Sequence, residues 1–93
     1  MIDNVLDVVS ESTGICTDDI FSKSKKVPVV YARHLCMYAL ARTNHRITHD
    51  KIASMFGIKR PAVSKAISSI EFELKHYKPV QIKVNRIMDG LRG

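Results

Sequence analysis

The segment KRPAVSK places Lys59, Arg60, Pro61, Ala62, Ser64 and Lys65 together, cations alternating with small or hydroxyl side chains. That mixture suits a polyanion. Arg and Lys can reach phosphate oxygens or guanine acceptors, and small neighbours let the backbone come close to base edges. A second group, Lys23, Lys25 and Lys26, lies in SKSKK, and Arg33, His34 and Thr48 fall between the two. Other chemistries find less material. The four histidines, His34, His45, His49 and His76, form no HExxH and no paired Cys and His spacing for zinc. Cys16 and Cys36 match no CxxC pattern and are expected to be buried and reduced. There is no GxxxxGK[ST] phosphate loop and no nucleophile turn, so neither catalysis, a cofactor, a metal nor a small-molecule substrate is expected.

Charge is unevenly distributed along the 93 residues. Five acids (Asp3, Asp7, Glu11, Asp18, Asp19) precede Lys23, and all fifteen Lys and Arg stand from Lys23 onward, within a net charge of +6. The basic part points to a nucleic-acid partner. No apolar run is long enough to span a bilayer and no signal peptide opens the chain, so a cytoplasmic location is expected.

The elements that must hold these residues read as helices throughout. Ile2, Val5, Leu6, Val8 and Val9 have helical spacing and Gly14 supplies a stop, which predicts a helix over 2–13. Thr17, with Asp18 and Asp19 behind it, predicts a capped helix over 17–22. The basic loop 23–27 follows. Pro28 then opens a long central helix from Val29 to about Thr43. Asn44, His45 and Arg46 form a polar connection, Thr48 caps a helix to Phe56, the next runs from Lys59–Pro61 to His76, and Pro79 opens the last, through Leu91. The expected fold is all-α: a compact bundle of about six helices forming one domain over 1–93. Tyr31, Tyr38 and the three phenylalanines are expected mainly in its core.

Residues 48–76 carry a further restriction. Two short helices crossing steeply need a small residue at their contact, a residue able to take positive φ at the turn, and apolar facing sides. Ala53, Gly57 and Ile58 meet the first requirements, and Ile52, Phe56, Val63 with Ala66 or Ile67 meet the last. The spacing predicts a helix-turn-helix whose second helix presents Lys59, Arg60, Ala62, Ser64, Lys65 and Ser68 outward.

The stretches IDNVLDVVSESTGI, DDIFSKSKKVPVVYARHLCMYALA, IASMFG and VNRIMDGLR resemble the C-terminal DNA-binding domain, domain IV, of the bacterial DnaA replication-initiator family. The resemblance implies a six-helix, Trp-repressor-like fold and double-stranded DNA as ligand, with the helix-turn-helix in the major groove and the basic loop at the minor groove. Lys25 falls where the family has a minor-groove arginine, with Lys23 and Lys26 in the same loop. Arg33 and His34 fall on an arginine and a glutamine that contact DNA. The family's Asp-His-Thr-Thr-Val signature is replaced here by Lys59, Arg60, Pro61, Ala62 and Val63, which predicts an altered base preference. A chain that opens at Met1 suits a phage or mobile-element product and equally an excised domain. Two alternatives accompany this reading: a stand-alone helix-turn-helix transcriptional regulator, and a module binding replication or transcription proteins through the acidic first helix or the apolar last one.

Overall fold

The computed structural model describes residues 2–43 and 47–92, and the connection at Asn44, His45 and Arg46 lies outside them. Six helices follow in order: α1 (Ile2–Thr13), α2 (Thr17–Phe21), α3 (Val27–Thr43), α4 (His49–Phe56), α5 (Arg60–His76) and α6 (Lys78–Arg92). They pack around α3, in which the consecutive residues Leu35 to Leu40 are all buried. A helix apolar on every side can only be central, with the others laid around it. Helix α1 contributes Val5, Leu6 and Val9, α5 contributes Val63, Ala66, Ile67 and Ile70, and α6 contributes Val84 and Ile87.

The ends of the helices follow local chemistry. Gly14, at φ 74°, ends α1, and its N–H donates to the Ser10 carbonyl at 2.8 Å. Helix α3 starts at Val27, two residues before the expected Val29, with Pro28 inside its first turn where a missing N–H costs nothing. Helix α6 likewise starts at Lys78, one residue before Pro79. It closes against α1 so tightly that a Cβ on Gly90 would lie 3.0 Å from Val8 Cγ1.

Several expectations need correction. The residue preceding α2 is Cys16, not Thr17, and it offers no side-chain cap; Ser22 is the residue after the helix rather than its last. Cys16 is accordingly exposed, because it sits in the turn and not on an inward helix face, whereas Cys36 is buried. Burial pushes the Cys36 thiol up to about 12. Phe21 and Phe72 are exposed, and so is Ile82 on α6. Phe72 stacks on His76 one turn later at 4.4 Å instead of entering the core.

Candidate nucleic-acid interface

The corner between α4 and α5 is built by backbone geometry. Gly57 adopts φ 65°, ψ 35°, the left-handed conformation that a Cβ disfavours. Its N–H reaches the Ser54 carbonyl at 3.3 Å, and the next N–H, of Ile58, reaches Ala53 at 3.0 Å, so the last carbonyls of α4 are satisfied as the chain turns. Ile52, Ala53 and Phe56 from α4 meet Val63, Ala66 and Ile67 from α5, all buried. The outward side of α5 is left with Arg60, Pro61, Ala62, Ser64, Lys65 and Ser68, preceded by Lys59, and every one of them is exposed.

The start of α5 is electrostatically open. Lys59 occupies the N-cap position with no side-chain hydrogen bond, and no acid lies in the first turn. A helix N-terminus carries partial positive charge and favours an acceptor there. Here Pro61 has no N–H, the Ala62 N–H donates to the Lys59 carbonyl at 3.0 Å, and a side contact comes from α4: Arg60 Nη1 lies 3.6 Å from Asp50 Oδ2, both side chains being at least 65% exposed. Contacts of this kind in solvent hold little energy. A second tie joins His49 Nδ1 to Ser64 Oγ at 3.2 Å. Thr48 accepts from the Lys51 N–H at 3.1 Å, so its oxygen caps α4 as its position before the helix suggested.

The loop between α2 and α3 comes to this corner. The Phe21 and Phe56 rings stand 5.1 Å apart, and a methyl group placed on Gly57 would lie 3.9 Å from Lys23 Nζ. Lys25 borders a cleft with Val27, Val30, Tyr31, His34, Ser69 and Glu73, so the loop flanks α5 from its mouth to its middle. Within the loop, serine and lysine alternate. Ser22 Oγ donates to the Asp19 carbonyl at 2.6 Å, Ser24 N–H donates to Ser22 Oγ at 3.2 Å, and Lys26 N–H donates to Ser24 Oγ at 3.3 Å. The serines are half-buried while Lys23, Lys25 and Lys26 are exposed.

Arg33 and His34 sit behind the loop. The Arg33 guanidinium donates from Nε to the Ile20 carbonyl at 3.0 Å and from Nη2 to the carbonyls of Ser22 at 2.6 Å and Ser24 at 3.1 Å. Much of its hydrogen-bonding capacity is therefore engaged within the chain. His34 is half-buried, and burial, with the Arg33 charge second, lowers its pKa below 6.5, so the ring is neutral at pH 7. Burial, and then the Glu73 carboxylate, keep Tyr31 protonated beyond its usual range. One Glu73 oxygen, Oε2, is buried without a hydrogen-bond partner. The serine turns, the Phe21 stack and the Arg33 contacts were not recognised in the sequence. Only the alternation in SKSKK hinted at the first.

Among the described residues no three His, Cys, Asp or Glu come together as metal ligands, and no helix is long and apolar enough to cross a membrane.

An all-helical bundle with a glycine-turned corner and cations along the outer start of its second helix defines a helix-turn-helix domain of the DNA-binding class. Residues 2–70 match the family model described as the bacterial dnaA protein helix-turn-helix, and the chain belongs to that family. It is 37% identical over 70 residues to the chromosomal replication initiator protein DnaA of Campylobacter fetus, covering 74% of this chain and 16% of that one. To DnaA of Pseudothermotoga lettingae it is 33% identical over 69 residues, 74% of this chain and 15% of the relative. With DnaA of Nautilia profundicola the similarity extends over 92 residues at 28% identity, 98% of this chain and 21% of the relative. The chain thus spans between 15 and 21% of the length of these bacterial relatives, which lend nothing to a phage or mobile-element origin.

Proposed function

We propose that this chain binds double-stranded DNA in the cytoplasm as the DNA-reading part of an initiator-type protein. The first half of α5 enters the major groove, and loop 22–26 meets the backbone or minor groove beside it. One observation carries this reading: the basic loop, far away in sequence, runs beside the helix-turn-helix, with Lys23 Nζ near Gly57 at the corner and Lys25 lining one cleft with Ser69 halfway along α5. Lys59, Arg60 and Lys65 supply charge and guanine-reaching donors. Ser64 supplies a hydroxyl, and Pro61 and Ala62 leave room for the groove wall. Arg60 exchanges its weak contact with Asp50 for a phosphate or base, and Thr48, at the start of α4, faces the flanking strand.

The open start of α5 supports the same conclusion. A lysine in the N-cap position forgoes a stabilising acceptor, and a DNA phosphate is the anion that would complement it. The chain itself performs no catalysis in this reading; any nucleotide chemistry belongs to the remainder of proteins such as the relatives.

The test is fluorescence anisotropy of a labelled mixed-sequence duplex across a salt series. Each lost phosphate contact lowers the slope of log affinity against log salt by about 0.9. Arg60→Ala, Lys65→Ala and Lys25→Ala should each weaken binding, and unchanged affinity in both Arg60→Ala and Lys25→Ala would remove the mode. Selection from a randomised duplex pool then reads out the base preference that KRPAV confers.

The exposure of Phe72, Tyr77 and Ile82, each above 50%, favours a second reading in which a replication or transcription protein docks away from the corner. Phe72→Ser should then leave duplex affinity intact while abolishing that association.

A further inference from the structure

Loop 22–26 has no helix or strand of its own, and its lysines repel one another. Its serine hydrogen bonds span two or three residues, so they shape the loop without fixing its place on the bundle. The Arg33 contacts span 9, 11 and 13 residues and do fix it. They tie the end of α2 and the first half of the loop to α3 through one planar group. The alternation of SKSKK completes the arrangement: Ser22 and Ser24 face Arg33 with their carbonyls, and Lys23 and Lys25 are left exposed. The carbonyls of Ile20 and Ser22 also lie at the negative end of α2, where a cation is favoured.

We infer that Arg33 is a positioning residue for DNA binding: its guanidinium holds loop 22–26 beside the corner, so that Lys23 and Lys25 meet the duplex already in place. This rests on the DNA-binding reading above. It assigns Arg33 a different task from direct contact with a DNA strand. A flexible loop must be ordered at the moment of binding and lowers affinity accordingly, whereas a clamped one is ordered beforehand. Lysine cannot replace the clamp. Its ammonium is a single point of donation on a flexible stem, while Arg33 spreads Nε and Nη2 over three carbonyls in a fixed plane.

Arg33→Lys keeps the charge and removes the fork, and Arg33→Gln serves as a second variant. Both are measured in the full chain against a mixed-sequence duplex at low salt, after circular dichroism and a urea midpoint confirm the helical bundle. In the parent sequence Arg33→Lys should lower affinity about tenfold. In a Lys23→Ala, Lys25→Ala, Lys26→Ala background it should lower affinity less than about twofold further, since no lysines remain to be placed. Exchange of the Ser24 and Lys26 amide hydrogens should accelerate in the variant without DNA. Arg33→Lys binding as tightly as the parent, or losing equally in both backgrounds, overturns the inference alone. A parent chain that binds no duplex overturns the DNA-binding reading and this inference together.

Discussion

Helices α4 and α5 meet at one corner but begin in opposite ways. Helix α4 opens with Thr48 accepting from the Lys51 N–H and with Asp50 in its first turn, as expected of a helix start arranged for stability. Helix α5 opens with Lys59, whose side chain makes no capping bond, followed by Arg60 and Pro61 and no acid. The buried side chains on both sides of Gly57 are equally well packed, so the asymmetry is confined to the exposed tip. The contrast teaches where this fold forgoes stability: at the one helix start that the DNA-binding reading turns toward phosphate.

The largest expected effect touches what the two helices share. Ile52→Ala removes a fully buried side chain between them and should cost about 2–5 kcal/mol in urea unfolding, enough to threaten the fold. A loss below about 1 kcal/mol would show the corner to be looser than its packing implies.

Gly57→Ala comes next. The space around the new methyl is open apart from Lys23 Nζ, so the cost is that of the left-handed backbone, about 1–2 kcal/mol. If the variant is as stable as the parent, the turn does not depend on that conformation.

The comparison itself is tested by a pair of changes with opposite signs. Thr48→Ala should destabilise by about 1 kcal/mol, while Lys59→Asp, which can reach only the Ala62 N–H because Pro61 has none, should stabilise by about 0.5 kcal/mol, mainly through the helix dipole. The same Lys59→Asp should weaken duplex binding. Gains in both stability and affinity would contradict the idea that the open tip serves a ligand.

The smallest effect concerns His34. Its folded pKa lies below the unfolded value near 6.5, so the unfolded chain takes up the proton first as pH falls. That contribution to stability is complete above about pH 7 and is lost as pH falls through 6.5 toward the folded value. Urea midpoints at neutral and mildly acidic pH should therefore fall less in His34→Gln than in the parent. An equal fall in both would place the acid sensitivity elsewhere.

Much of this architecture was legible in the residue pattern because its causes are local. Gly14 and Gly57 mark turns, Pro28 and Pro79 mark helix starts, Thr48 marks a cap, and the apolar spacing separates the helices. Ala53, Gly57 and Ile58 foretold the corner for the same reason. The features that escaped notice depend on distant partners. Phe21 looks like a core residue, yet it stays exposed and lays its ring against the buried Phe56 from outside. Arg33 looks like any exposed cation until the carbonyls 9 to 13 residues away come under its guanidinium. No periodicity encodes such meetings. Cys16 differs for the opposite reason: a residue type usually buried stands at the end of the three-residue turn 14–16, where Ile15 takes the inward place and Cys16 is left exposed.

Helix α6 lies outside the matched span of residues 2–70, yet Val84 and Ile87 fill the core and Gly90 lets the helix settle onto Val8. The stretch by which the family is recognised is consequently smaller than the packed core. A fragment trimmed to it would cut α5 short at Ile70 and leave α1 and α3 with a bare greasy flank, prone to aggregation before it could ever meet DNA.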